Sequence, residues 1–311
     1  MPSLDTGVRP AYRPYPVRVG AVRRIAPHFV RVTLIGDDLA HFGTAGLDQR
    51  IKVVLPLDHL AGGYADFGQN DEAGDWYDRW RALPSEERNP FRTYTVRRID
   101  PGARELDIDF VTHHEPGPAG AWAEAAAVGD RVVVVGPDER SPQSRIGLDW
   151  HPGTARRLLL VGDETAAPAI GGILASLDER CDVDVFIEVP TAQDALELAA
   201  PAGARVHWIA RGDDDHGARL ISAVSAWTAA NSALLHRAAA PRAQHLEDVD
   251  VDRDLLWDSP EAGDGEFYAW IAGEAATIKT LRRHLVSGCG VDRRRVAFMG
   301  YWRLGQAERA E

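Results

Sequence analysis

The segment Arg92-Thr93-Tyr94-Thr95-Val96-Arg97 combines the residue types best able to do chemistry in this chain. On an extended strand, positions 92, 94 and 96 share one face, while 93, 95 and 97 share the other. The Arg92 guanidinium offers a partner for an anion, the Tyr94 ring a flat surface, and Thr93 and Thr95 hydroxyls for ring heteroatoms. A flavin dinucleotide makes all three demands. An edge strand with Arg92 and Tyr94 merely solvated fits the same pattern, so the segment alone leaves both readings open.

A second segment, His113-His114-Glu115-Pro116-Gly117-Pro118-Ala119-Gly120-Ala121-Trp122, leaves a strand, turns on Gly and Pro, and enters an Ala-rich helix. Such a turn aims unpaired backbone N–H groups and the positive helix end at whatever lies in front, which suits a pyrophosphate without any cationic side chain. An ordinary strand-to-helix turn has the same composition. His113 and His114 diverge on a strand, and no third ligand follows at a suitable spacing, so no metal site is expected.

The third segment, Val161-Gly162-Asp163-Glu164-Thr165-Ala166-Ala167-Pro168-Ala169-Ile170, runs from a strand into a helix. It lacks the Gly-x-Gly-x-x-Gly fingerprint, yet it stands where a nucleotide would meet the first parallel strand. Asp163, Glu164 and Thr165 are candidates to meet a nicotinamide nucleotide there, with Thr165 as a hydroxyl donor. Asp163 or Thr165 can cap the helix at the same time.

These segments need two kinds of scaffold. In 104–111, Leu106, Ile108 and Phe110 alternate with Asp107 and Asp109, the period of a strand buried on one face. Similar runs at 15–25, 29–35, 51–55, 93–99 and 131–135 give six short strands and predict a small antiparallel barrel. From Leu158 onward strands at 158–161, 183–189, 206–209, 268–272 and 296–299 alternate with helices at 168–177, 193–198, 218–228 and 275–286. That alternation predicts a parallel sheet covered on both faces, with ligands at the carboxyl ends of its strands. The expected domains are 1–145 and 146–311, with a Ser-, Pro- and Gly-bearing stretch between them. Residues 57–89 look like a polar and aromatic insertion, and 247–266, with nine acids and one base, like a solvated loop.

Composition narrows the function. The chain has 311 residues, 45% of them hydrophobic, and a net charge of −12, so a folded core is expected and phosphate-backbone binding to nucleic acid is not. No apolar run approaches the ~18 residues of a membrane span and no signal peptide opens the chain, so a cytoplasmic protein without membrane insertion is expected. Cys181 and Cys289 are too far apart for a Cys-x-x-Cys site.

R-T-Y-T-V-R, G-P-A-G-A-W, V-G-D-E-T-A-A-P-A-I, Y-A-W-I-A-G-E-A and the terminal G-Y-W-R-L-G, in this order and spacing, resemble the siderophore-interacting proteins, bacterial FAD-dependent ferric-siderophore reductases. The resemblance implies a ferredoxin-NADP reductase-like fold: an FAD-binding antiparallel β-barrel followed by an α/β parallel-sheet domain for NADH or NADPH. It implies that Arg92 contacts the FAD pyrophosphate, Tyr94 packs on the isoalloxazine, and Thr95 approaches its N5. Gly117, Pro118, Ala119 and Trp122 would form the phosphate turn, with Thr93 and His113 beside the cofactor. Glu164 and Thr165, with Asp163, would lie near flavin and nicotinamide, and Tyr301 and Trp302 would border the flavin's exposed side or else dock into the core as a last strand. Tyr94, Thr95, Glu164 and Tyr301 are the catalytic candidates.

Ferric siderophore is then the small-molecule substrate of a protein expected to be a monomer. An anionic chelate needs a positive pocket, and the chain has only two lysines against 33 arginines. Lys52, Lys279 and Arg282 are the candidates, followed by Arg140 and Arg145; Lys279, Arg282 and Arg283 read equally well as a solvated helix face. Two other functions stay open: a flavoprotein with another acceptor, such as free flavin or a redox protein, and a chelate carrier without turnover. The nicotinamide is also open, since Glu188 at the second strand end suits NADH and Arg211 after the third suits NADPH.

Overall fold

The computed structural model describes residues 9–72, 74–113, 116–251, 253–261 and 265–305. The chain divides between Leu148 and Asp149 into two units. The first holds β1 (Tyr12–Ala26), β2 (Phe29–Ile35), β3 (Arg50–Val54), α1 (Trp76–Ala82), β4 (Phe91–Thr95), β5 (Arg98–Asp100), β6 (Glu105–Val111), α2 (Pro118–Ala125) and β7 (Arg131–Pro137). Its seven strands form one sheet in the order β4-β3-β7-β1-β2-β6-β5, curled into an antiparallel half-barrel. The period-two residues Leu106, Ile108 and Phe110 fill its interior with Val17, Val32, Val53 and Val134.

The run expected as one strand at 93–99 is broken. Val96 N–H donates to Gln49 O (3.0 Å) and Arg97 N–H to Asp107 O (3.0 Å), so the chain leaves β3 and joins β6 within two residues. Apolar residues on both sides of the crossing hide it from periodicity. The 57–89 insertion carries its own small core on the sheet, where Phe67 and Trp80 pack with Val54, Phe91, Val133 and Val135. Trp80 donates its indole N–H to Asn89 O at 2.9 Å, and the buried Asn89 amide donates to Leu55 O and Gly63 O.

The second unit holds β8 (Arg157–Gly162), α3 (Ala167–Ser176), β9 (Asp182–Val189), β10 (Ala204–Ala210), α4 (Ala218–Ala230), α5 (Ser232–Arg237), β11 (Trp257–Asp258), β12 (Phe267–Glu274), α6 (Ala275–Arg282) and β13 (Val296–Trp302). The strand order is β10-β9-β8-β12-β13-β11, parallel throughout except for β11. Every residue of β12 is buried, as expected for a strand covered on both faces. The helix expected at 193–198 is instead a single turn, Ala192–Asp194, closed by a Thr191–Asp194 capping box. Only Leu196 and Leu198 beyond it are half-buried, and a spacing of two gives a helix no apolar stripe. The acidic 247–266 stretch is not wholly a solvated loop: Leu256 is buried, and Trp257–Asp258 pair with Phe298–Met299 of β13. Among the described residues, no helix is long and apolar enough to cross a membrane.

Candidate functional site

In the first unit, β4 pairs with β3 so that Lys52 lies opposite Thr93 and Ile51 opposite Tyr94. Lys52 Nζ donates to Thr93 Oγ1 at 2.6 Å. Alternation places Lys52, Thr93 and Thr95 on one face and Arg92 and Tyr94 on the other. Thr95 is buried, whereas Arg92, Thr93 and Tyr94 are half-buried.

Arg92 differs from three other arginines of this sheet. Arg13 binds Asp138 at 3.2 Å, Arg31 binds Asp109 through two nitrogens, and Arg98 binds Asp107 at 2.8 Å. Arg92 donates only to its neighbour's carbonyl, Phe91 O at 2.8 Å, and no carboxylate of the described residues pairs with it. A half-buried guanidinium left without an anion in a chain of charge −12 is a ready partner for an external phosphate.

Helix α2 packs on the same aromatic line through Trp122. Tyr94 meets Phe110 at 4.4 Å between ring centroids, and Phe110 meets Trp122 of α2 at 5.6 Å. Phe110 thereby joins the two segments that sequence reasoning treated separately. Gly117 caps α2 without any side-chain hydrogen bond, is exposed, and a Cβ there would meet nothing within 4 Å. Pro118 occupies the first turn, and Ala119, Gly120 and Ala123 bury the underside. The uncapped helix start and the Arg92 guanidinium are each donors of the kind an FAD pyrophosphate requires, and the Tyr94 ring supplies an aromatic surface. His113 is exposed; His114 lies outside the described residues.

In the second unit the strand ends carry a buried acidic cluster. Asp163 accepts from Thr165 N–H (2.9 Å) and Thr165 Oγ1 (2.5 Å) on one oxygen, and from Glu274 N–H and the Trp302 indole (both 2.8 Å) on the other. Gly273, at φ 150°, allows this approach, because a Cβ would stand 2.6 Å from Asp163 Oδ2. Burial, and then the charge of Glu164, push the Asp163 carboxyl above the usual range. Thr165 thus spends its hydroxyl on Asp163 in a turn ahead of α3, and neither residue caps the helix, whose N-cap is Ala166 without a side-chain hydrogen bond.

Glu164, wholly buried, accepts from Arg211 Nη1 and Nη2 at 3.3 and 3.2 Å. Glu188, also wholly buried, accepts from Arg211 Nη1 at 3.2 Å and from the N–H of Gly217 (2.8 Å) and Leu220 (3.3 Å). The acid and the cation that favour opposite nicotinamides in the sequence are therefore bonded to each other. Burial opposes the Arg211 charge, but the bonds to Glu164 and Glu188 outweigh it. His216 was not foreseen. Its ring stands edge-on to Trp302 at 5.0 Å, with 3.9 Å from Nε2 to Asp163 and Glu164 and from Nδ1 to Glu188. The signal was the run Arg-Gly-Asp-Asp-Asp-His-Gly directly after a predicted strand.

Tyr301 and Trp302 point apart. Trp302 joins Asp163, while Tyr301 stacks on Trp257 (5.8 Å, 16°) and meets the edge of Trp270. Lys279 Nζ lies 2.9 Å from Asp248, and Arg282 binds Asp258 and Glu247 O, so both basic candidates of α6 are engaged by the acidic stretch. Arg140 is held by Asp138 and Glu72. Arg145 is exposed.

A family model described as siderophore-interacting FAD-binding domain matches residues 6–141, and one described as siderophore-interacting protein matches residues 155–305. The chain belongs to the siderophore-interacting protein family. An uncharacterized protein of Mycobacterium tuberculosis is 33% identical over 93% of this chain and 90% of its own length. Ferric vibriobactin reductase ViuB of Vibrio cholerae is 27% identical, over 96% of this chain and 93% of its own. Among solved structures, a siderophore utilization protein from T. fusca aligns with a TM-score of 0.67 at 28% identity, covering 96% of both chains. A ferredoxin reductase of carbazole 1,9a-dioxygenase, 15% identical, with 94% of this chain and 70% of the other covered, aligns at a TM-score of 0.57, which shows a ferredoxin-reductase-like fold.

Proposed function

We propose that this chain is an FAD-dependent ferric-siderophore reductase that takes its electrons from NADH or NADPH. The observation that carries the reading is Arg92, half-buried and without a carboxylate partner among the described residues, on the strand that also presents Tyr94, whose ring leads through Phe110 to Trp122 of α2. The likeness to ferric vibriobactin reductase along nearly the whole chain supports the acceptor.

FAD, when bound, supplies the conversion between a two-electron hydride donor and a one-electron ferric acceptor. Arg92 and the first N–H groups of α2 would hold its pyrophosphate, and Tyr94 would pack on the ring system against the fixed Phe110. Thr93 and Thr95 would offer hydroxyls from the opposite face of the strand, with Thr93 oriented by Lys52. Asp163, Glu164 and Thr165 would border the nicotinamide, with Trp302 fixed by Asp163. Hard oxygen ligands grip Fe(II) less tightly than Fe(III), so reduction alone loosens the chelate and the protein need not ligate iron.

The second reading, a flavoprotein with another acceptor, is favoured by one observation: Lys279 and Arg282 are already engaged by Asp248 and Asp258. Anaerobic titration separates the two. Purified protein loaded with FAD should bleach with NADH or NADPH and recover its colour on adding a ferric siderophore, with Fe(II) captured by a ferrous chelator. Recovery with free flavin or a redox protein but with no ferric chelate would establish the second reading, and failure to take up FAD would sink both. Arg92→Ala should weaken FAD binding by about 10- to 100-fold, the worth of a charge-assisted hydrogen-bonded contact, with the melting temperature of the flavin-free protein unmoved.

A further inference from the structure

The five parallel strands run β10-β9-β8-β12-β13, that is third, second, first, fourth and fifth in chain order, so the order reverses between β8 and β12. Dinucleotides lie outside the carboxyl ends of such sheets at the reversal. The first three strands take the adenosine half. Its ribose is met near the second and third strand ends, by an acid if the 2′ position is a hydroxyl or by a cation if it is a phosphate. In this chain those ends are Glu188-Val189 and the β10–α4 loop, Arg211-Gly212-Asp213-Asp214-Asp215-His216-Gly217.

Resting on the reading of a nicotinamide donor, we infer that the β10–α4 loop selects NADH against NADPH, with Asp213 and Asp215 as the specificity-determining residues. The cation that a 2′-phosphate would need is present but committed. The Arg211 side chain is 14% exposed and is shared between Glu164 and Glu188, both with no exposed surface. Drawing it towards a phosphate would leave two buried carboxylates unpaired, a far larger loss than one exposed ion pair returns. Arg219, the other cation of the region, is tied to Asp214 and to Ala210 O.

What the loop offers outward is negative. Asp213, Asp214 and Asp215 are all exposed. With Asp214 occupied by Arg219, the Asp213 and Asp215 carboxylates make no hydrogen bond or ion pair with the described residues. They can accept from a ribose 2′-hydroxyl, and they repel a 2′-phosphate of about two negative charges. The loop is held in place from behind: Glu188 accepts from Gly217 and Leu220, and Gly217, at φ 80°, is packed where a Cβ would strike Thr277 Oγ1.

A second observation marks this edge as a place for a ligand. His216, nine-tenths buried on the same loop, has both ring nitrogens without a hydrogen-bond partner. The carboxylates nearest to them are 3.9 Å away, beyond bonding distance. A buried polar group without a partner is costly unless a ligand completes it.

The test uses the flavin-loaded protein. Anaerobic stopped-flow reduction should favour NADH over NADPH by about 100-fold at low ionic strength, and the margin should shrink as salt screens the loop. Calorimetry with ADP-ribose and its 2′-phosphorylated form should show the same order without any redox step. Asp213→Asn with Asp215→Asn should lower the NADH-to-NADPH ratio about tenfold, with NADPH gaining, whereas the paired Asp→Glu changes should keep the preference. Equal use of both nucleotides, or a preference indifferent to salt and to the double Asn variant, overturns the inference. Reduction by neither nucleotide overturns the functional reading instead, and the calorimetric comparison then still decides this one; failure of both ADP-ribose forms to bind overturns it too.

Discussion

Asp138 in the first unit and Asp163 in the second are each 1% exposed, yet their surroundings are opposite. Burial opposes the charge of both. Around Asp138 it is outweighed by Arg140, bonded to both oxygens, and by the buried Arg13, and the carboxyl is held below its usual range. Around Asp163 the donors are neutral, a hydroxyl, an indole and two backbone N–H groups, and the stronger of the charged influences is the Glu164 carboxylate, so burial and that repulsion push the carboxyl up. In the half-barrel Arg13, Arg31 and Arg98 are spent on carboxylates, while no carboxylate of the described residues pairs with Arg92. The parallel sheet gathers Asp163, Glu164 and Glu188 at its strand ends with one arginine, bonded to Glu164 and Glu188, and leaves negative charge over. Each unit's surplus would suit the ligand proposed for it: phosphate in one, an uncharged ribose hydroxyl in the other.

The largest break in this contrast should come from Asp138→Ala, which leaves the Arg13 guanidinium buried without its inner partner. Urea denaturation should show a loss of about 3–5 kcal/mol; a loss below about 1 kcal/mol would mean that Asp38, 3.1 Å from Arg13, already compensates the charge. Trp302→Phe removes one neutral donor from Asp163 and should cost about 1–3 kcal/mol by the same measurement.

Asp163→Asn should cost about 1–3 kcal/mol at pH 7, because the amide nitrogen meets donors that a carboxylate oxygen accepted, partly offset by the lost repulsion with Glu164. Its signature is in the pH dependence. A carboxyl whose folded pKa is raised binds its proton more tightly folded than unfolded, so stability is lost as pH climbs from about 4 through the raised value. The melting temperature of the native chain should therefore fall relative to the Asn variant as pH rises through that window. Asp138→Asn sharpens the contrast: the stability that Asp138 contributes is present above about pH 4 and fades as acid protonates it, so the gap to native should narrow on acidification.

Much of the fold was legible because periodicity is a local property. Leu106, Ile108 and Phe110 announce a strand buried on one face, and the apolar runs of β8 and β12 announce strands buried on two. The helix start at Gly117-Pro118 could be read the same way. The break between β4 and β5 could not, since it depends on which partner each N–H finds across the sheet. Nor could the state of the charges. Lys279 and Arg282 look available on α6 until Asp248 and Asp258, more than twenty positions earlier, fold onto them. Glu188 and Arg211 look like rival determinants until the parallel pairing of β9 and β10 brings them into one ion pair.

The sequence by itself determined the two kinds of layer, the places where strands hand over to helices, and the residue types offered at those places, because each follows from the chain's own alternation and turn residues. Tertiary structure alone decided which of those residues keep an unspent charge or hydrogen bond. Compensation is a contact between side chains distant along the chain, and only packing tells a guanidinium whether its carboxylate has arrived.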